Sequence, residues 1–143
     1  MESTLLGLVL DSSIIIEAER KGQTVEQLLE HVRASAGEVE ILICSVTVAE
    51  LVHGVYRANT LERRERRRAF IDELKRNVPV SPVTEPTAEI IGRISGEQAA
   101  KGIKIPFDDL AIGAAALEQG YAPATLNLRH FQMIPGLVVK PLL

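Results

Sequence analysis

Four carboxylates stand where this chain turns from an extended run into a helix. Asp11 follows the apolar triplet Leu8-Val9-Leu10 and precedes two serines and an isoleucine triplet, LVLDSSIII. Glu50 lies about one turn into a helical pattern that begins straight after the apolar run EILIC. Asp108 and Asp109 sit side by side in KIPFDDLAIGAAAL. Taken singly, each has a plain structural use, because aspartate is favoured at N-caps and acids in first turns. Glu50 lies off the apolar stripe of its helix and could simply face water. Taken together, they are acids at three strand-to-helix junctions, presented to one edge of a sheet. Gathered carboxylates repel one another. A hard divalent cation, Mg²⁺ or Mn²⁺, offsets that repulsion, takes oxygen ligands and keeps several waters. Such an ion polarises a phosphoryl oxygen and makes hydroxide available near neutral pH. Neutral partners stand close in sequence: Ser13 near Asp11, Thr47 one turn before Glu50, and Thr125 with Asn127 after the run that ends in TLN. Zinc fits poorly, since His31, His53 and His130 lack ligand spacing and Cys44 is the one cysteine.

The elements that must position these residues follow from periodicity and punctuation. Leu8–Leu10 reads as a short buried strand and Ser12–Ala18 as its following helix. A helix over Val25–Ala34 has Thr24 as N-cap and Val25, Leu28, Leu29 and Val32 on one stripe. Glu40–Cys44 is the next strand. Val48, Leu51, Val52, Val55 and Tyr56 give Val46–Tyr56 an amphipathic helical pattern. Leu61–Arg76 is a basic helix with Phe70, Ile71 and Leu74 as apolar contacts. Pro79 and Pro82 limit Val78–Val83 to an edge-like extended piece. A helix starts near Pro86 and ends by Gly102. Asp109–Leu117 is a helix of small residues, and Gly113 and Ala116 leave the face above Asp109 open. Tyr121–Thr125 and Leu137–Val139 supply the last strands. Strands alternating with helices predict an α/β fold, a three-layer α/β/α sandwich around a mostly parallel sheet. Ligands of such sheets bind beyond the carboxyl ends of the strands, where Asp11 is expected.

The bulk composition agrees with one domain over residues 1–143, with 46% hydrophobic residues to fill its core. No apolar run approaches the roughly 20 residues a membrane span needs. The start, MESTLLGLVLD, has no basic region of the signal-peptide kind. With a single cysteine in an apolar setting, a reducing cytoplasm is the expected compartment. The net charge of −3 conceals an asymmetry, for Arg57–Arg76 carries eight basic and four acidic residues and is about +4 on its own. A basic segment on an acidic protein points to a polyanion, although pairs such as Glu62 with Arg66 would equally make it a solvated helix face.

The series LDSSIII, SVTVAEL, IPFDDLAIGAAAL and TLNLRHFQMIPGL, in this order and at these separations, resembles the PIN domain and in particular the VapC-type toxins of prokaryotic toxin–antitoxin pairs. The resemblance runs from about Leu8 to Leu137. It implies a metal-dependent endoribonuclease, using Mg²⁺ or Mn²⁺, with its acids at Asp11, Glu50 and Asp109. Asp109 is preferred to Asp108 because the family's acid is followed by the pattern of Leu110-Ala111-Ile112-Gly113-Ala114. Where many members carry a fourth acid, this chain has Asn127, which supplies an oxygen without a charge. Ser13 and Thr47 would support the cluster through hydrogen bonds. The resemblance further implies structured RNA as substrate, such as tRNA or rRNA, cut to leave a 5′-phosphate and a 3′-hydroxyl. A homodimer and a VapB-type antitoxin partner are implied in the same way. Arg57, with its basic helix, and Arg129 are the candidate RNA contacts, the latter equally readable as a surface residue and His130 as a packing one.

Three rivals compete with that reading. A Mg²⁺-dependent phosphatase would use Asp11 as nucleophile, but its usual second acid two residues on is here Ser13. A phosphorylated receiver-like module needs its acceptor on a middle strand, and EILICS has none. A catalytically silent PIN-like binding module would keep the fold and work only by gripping a partner, and intact Asp11, Glu50 and Asp109 argue against such a degenerate site.

Overall fold

Strand formation in this chain follows its apolar runs, and all of those runs end up side by side. The computed structural model describes residues 5–142. Strands β1 (Gly7–Leu10), β2 (Glu40–Cys44), β3 (Val80–Ser81), β4 (Ala122–Thr125) and β5 (Lys140–Pro141) form one sheet in the order β3-β2-β1-β4-β5, and every ladder is parallel. Six helices cover it: α1 (Ser12–Arg20), α2 (Val25–Ala36), α3 (Ser45–Arg57), α4 (Leu61–Asn77), α5 (Glu85–Ala99) and α6 (Phe107–Gln119). Side chains alternate across the strands. Leu8, Leu10, Ile41 and Ile43 pack with α1 to α4, whereas Val9 and Cys44 pack on the other face with α5 and α6. This is the expected three-layer α/β/α sandwich. Its short, proline-flanked β3 lies at an edge, where a missing N–H costs no ladder bond.

Local chemistry explains several boundaries. Thr24 caps α2 in a reciprocal box with Gln27, and Thr84 caps α5 with Thr87 while Pro86 sits in the first turn. α6 begins at Phe107, two residues before the expected start, because Pro106 occupies its N-cap position. Asp108 and Asp109 therefore lie within the first turn and neither caps the helix. The last strand is also displaced, from the expected Leu137–Val139 to Lys140–Pro141. Ile134 and Leu137 pack against Gly113 of α6, which holds that stretch off the sheet until Lys140 pairs beside Ala124.

The face above Asp109 is correspondingly filled. A Cβ on Gly113 would come within 2.5 Å of Ile134 Cδ1, and Ala116 is fully buried. The small residues of α6 let another segment in close. On α4, Ile71 and Leu74 are buried and Phe70 packs against the core as expected. Its ion pairs differ from the expected Glu62–Arg66 pair, since Arg66 Nε lies 3.5 Å from Glu19 Oε1 of α1 and Arg76 pairs with Glu73. Among the described residues, no helix is long and apolar enough to cross a membrane.

Candidate active site

β1, β2 and β4 are adjacent in the sheet, so their carboxyl ends bring residues from the first and last thirds of the chain together. Asp11 leaves the end of β1, where its backbone N–H donates to Ala124 O at 2.9 Å. It occupies the N-cap position of α1, but its side chain makes no cap hydrogen bond. The buried carboxylate instead accepts at Oδ2 from Ser13 Oγ at 2.7 Å and from Thr125 Oγ1 at 2.8 Å. Those hydroxyls are fixed in turn. Ser13 Oγ accepts from Leu126 N–H at 3.2 Å and Thr125 Oγ1 from Asn127 N–H at 2.9 Å. Asp11 is thus held from both sides, with its other oxygen left over.

Glu50 projects from α3 and is half-buried, which excludes the water-facing reading. Its Oε2 accepts from Ser12 Oγ at 3.2 Å, while Oε1 is buried with no hydrogen-bond partner among the described residues. Burial, reinforced by the close approach and charge of Asp108, pushes the Glu50 carboxyl up from an ordinary 4.5 to about 7. Asp109 is raised as well, first by burial and then by the charge of Asp108. A hydrogen bond to His130 Nδ1 at 2.7 Å opposes that rise. When Asp109 is ionised it can only accept, and His130 then donates from Nδ1. Asp11 adds charge to both Glu50 and Asp109. Four acids therefore share one electrostatic neighbourhood.

The donor set is all oxygen and negatively charged, with one buried oxygen unsatisfied, and that suits a hard divalent cation. Among the described residues, no three His, Cys, Asp or Glu side chains converge on a common point. Magnesium tolerates this, because it commonly keeps several waters and takes only one or two carboxylates directly. Beside Glu50, α1, α3 and α4 enclose a groove of about 450 Å³ with apolar walls from Ile15, Leu51 and Phe70 and a basic rim from Arg63 and Arg67.

Comparison with known proteins bears on what such a centre belongs to. The family model for the PIN domain matches residues 8–134. This chain belongs to the PIN domain family. Ribonuclease VapC1 of Rickettsia felis is 31% identical over 134 residues, covering 94% of this chain and 95% of the relative. A tRNA(fMet)-specific endonuclease VapC of Salmonella typhimurium is 28% identical over 120 residues, covering 82% and 88%. The crystal structure of VapBC2 from Rickettsia felis, bound to a promoter DNA fragment, superposes with a TM-score of 0.81 at 22% identity, covering 94% of this chain and 98% of that one. The relatives are thus VapC ribonucleases, and the solved neighbours include members of the VapBC family of toxin–antitoxin systems.

In this PIN domain the residues expected from sequence fall into two groups. Asp11, Glu50, Asp109, Ser13 and Thr125 are brought to one edge. Thr47 is fully buried and its Oγ1 has no hydrogen-bond partner among the described residues, so it bonds none of the carboxylates directly. Asn127 reaches Thr125 through its backbone, while its side chain is exposed. Arg57 and Arg129 are exposed and make no ion pair among the described residues. Sequence reasoning missed Ser12 as the donor to Glu50, left Asp108 open, and treated His130 as packing. Ser12 had a signal in the serine doublet after Asp11. His130 had none, for its partner is 21 residues away on another element.

Proposed function

We propose that this PIN domain is a VapC-type, Mg²⁺- or Mn²⁺-dependent endoribonuclease that hydrolyses phosphodiester bonds in structured RNA such as tRNA or rRNA. The observation that carries the reading is Glu50: a half-buried carboxyl among three other acids, pushed to about 7, with one oxygen lacking any partner. Such a group is costly in a protein that has no use for it. Asp11, Glu50 and Asp109 would hold the ion, with Asp108 beside them. A bound ion supplies counter-charge to the acids and Lewis acidity towards a phosphate oxygen.

The chain's own side chains do the rest. Ser13 and Thr125 fix one oxygen of Asp11 and leave the other available. His130 orients Asp109. Glu50, its carboxyl raised to about 7, is partly protonated near neutral pH and would be deprotonated as a ligand when a cation is bound. Two hydroxyl donors on Oδ2 orient Asp11 and leave Oδ1 for a ligand role.

A VapB-type antitoxin, in line with the VapBC structures among the neighbours, completes the proposal, together with the homodimer that the sequence resemblance implies. The groove beside Glu50 has the size and lining to seat an antitoxin segment. The test is incubation of antitoxin-free protein with mixed tRNA and rRNA in Mg²⁺, Mn²⁺ or EDTA, alongside Asp11→Asn and Asp109→Asn. Metal-dependent cuts at a few sites, lost in both variants, support the reading and identify the substrate. Identical behaviour of wild type and variants in every metal, with no Mn²⁺ binding by calorimetry, would leave a catalytically silent binding module.

A further inference from the structure

Two serines open α1, and their hydroxyls serve different acids. Consecutive helix residues point about 100° apart, so neighbours seldom share a partner. Ser13 Oγ donates to Asp11 Oδ2 within its own turn, at 2.7 Å. Ser12 Oγ reaches across to α3 and donates to Glu50 Oε2 at 3.2 Å, 38 positions further along the chain. Local structure gives Ser12 no other task. The N-cap position belongs to Asp11, so the Ser12 hydroxyl is not used on the helix end. Ser12 is also buried, where an alanine would leave no hydroxyl to desolvate. A serine at this position is explained by what its hydroxyl touches.

We propose, resting on the reading of these acids as a cation centre, that Ser12 is a positioning residue: its hydroxyl takes up Glu50 Oε2 and leaves Oε1 as the oxygen offered to a divalent cation. Among the described residues, Ser12 is the one hydroxyl, amide or cationic group that donates to Glu50. Oε1 is buried and has no hydrogen-bond partner among them. The terminal torsion of a glutamate is broad, so without a donor the two oxygens can interchange. With Oε2 held by a group rooted in the first turn of α1, the packing of α1 on α3 sets the plane of the carboxylate. The arrangement repeats the one at Asp11, where Ser13 and Thr125 hold Oδ2 and leave Oδ1 over. Adjacent serines thus hold one oxygen on each of two acids that reach the site from different elements, β1 and α3.

The test is the Mn²⁺ affinity of the full-length, antitoxin-free protein, measured by isothermal titration calorimetry. The proteins are wild type, Ser12→Ala, Ser12→Thr and Ile14→Val. Ser12→Ala is expected to weaken Mn²⁺ binding by about 10- to 100-fold, as loss of a group that orients a metal ligand commonly does. Ser12→Thr keeps the hydroxyl and should bind as wild type does. Ile14 is buried on the same helix, and Ile14→Val loosens its packing without altering a hydrogen-bonding group, so its Mn²⁺ affinity should be unchanged. In RNA cleavage, the Mn²⁺ concentration giving half the maximal rate should rise in Ser12→Ala by the same factor as the dissociation constant. A Ser12→Ala protein with wild-type Mn²⁺ affinity overturns the positioning role and leaves the cation centre intact. Equal losses in Ser12→Ala and Ser12→Thr overturn it too, as do equal losses in Ser12→Ala and Ile14→Val, because the fit of α1 and not the hydroxyl would then matter. Should Ser12→Ala fail to fold, Ser12→Cys, a similar side chain with only a weak donor, carries the same expectation. A wild type that binds no Mn²⁺ ends the cation centre and this role with it.

Discussion

Glu50 is a side chain whose own burial works against its ionised form. Its carboxyl is raised from 4.5 to about 7, so the folded protein binds more protons than the unfolded chain between those values. Stability must then fall as pH climbs through that window, and the penalty is complete above about pH 7. In EDTA, Glu50→Gln should therefore be more stable than wild type at pH 8, by on the order of 1–3 kcal/mol, and nearly equal to it at pH 4. Urea denaturation at the two pH values measures this, and a pH-independent difference would remove Glu50 from the buried cluster. His130 acts at the same scale from the other direction. Its hydrogen bond orients Asp109, so His130→Ala should weaken Mn²⁺ binding by about 10- to 100-fold, as loss of an outer-shell partner commonly does. Calorimetry on protein with an unchanged circular dichroism spectrum would show it. Asp11 and Glu50 stood out in sequence because a readable strand precedes each, whereas Asp109 follows α5 and a loop and not the expected strand, and its signal was the helical pattern after it. Ser12 and His130 were not, since no local rule connects a donor to an acceptor on a distant element. Thr47 has the right helical spacing from Glu50, yet its buried hydroxyl reaches none of the carboxylates directly.

The helices carry their own lesson about glycine. Gly54 of α3 and Gly113 of α6 both sit in helix interiors, where alanine is favoured by about 1 kcal/mol. Nothing lies within 4 Å of a Cβ built on Gly54, while one on Gly113 would collide with Ile134. Gly54→Ala should stabilise by about 0.5–1 kcal/mol. Gly113→Ala must displace a packed side chain, and overpacking of that kind costs about 1–3 kcal/mol. Its midpoint in thermal or urea unfolding should fall below that of Gly54→Ala by at least about 1 kcal/mol. Equal midpoints would mean that Ile134 yields without cost. From sequence, the small residues of α6 looked like space left for a ligand. They are space left for residues that come later in the chain, and the same packing shifts β5 three residues past its expected place. Helix and strand types followed from periodicity and capping, whereas these offsets depend on tertiary contacts that periodicity does not carry.

Across the whole molecule, charge is divided between a basic hairpin of α3 and α4 and an acidic remainder. If RNA is the ligand, binding should be salt-sensitive in proportion to the phosphates neutralised. Replacing Arg57, Arg64 and Arg68 together with glutamine should flatten the slope of log affinity against log salt by about 2 for a single strand. Anisotropy titrations at several salt concentrations give the slope, and an unchanged one would place the RNA elsewhere. The layered architecture itself was the most legible feature, because alternating apolar runs and amphipathic segments leave a parallel sheet as the economical solution. One consequence of that topology concerns time. Asp11 is anchored by Thr125, 114 residues further on, and the β1–β4 ladder that joins them cannot form until β4 exists. Contacts so far apart in sequence are made late, because the chain between them must be closed first. On the ribosome, Asp11 therefore waits for β4 before its carboxylate is fixed. If these acids are the catalytic ones, a nuclease built this way would stay inert beside the RNA of the machine that makes it until β4 has been made.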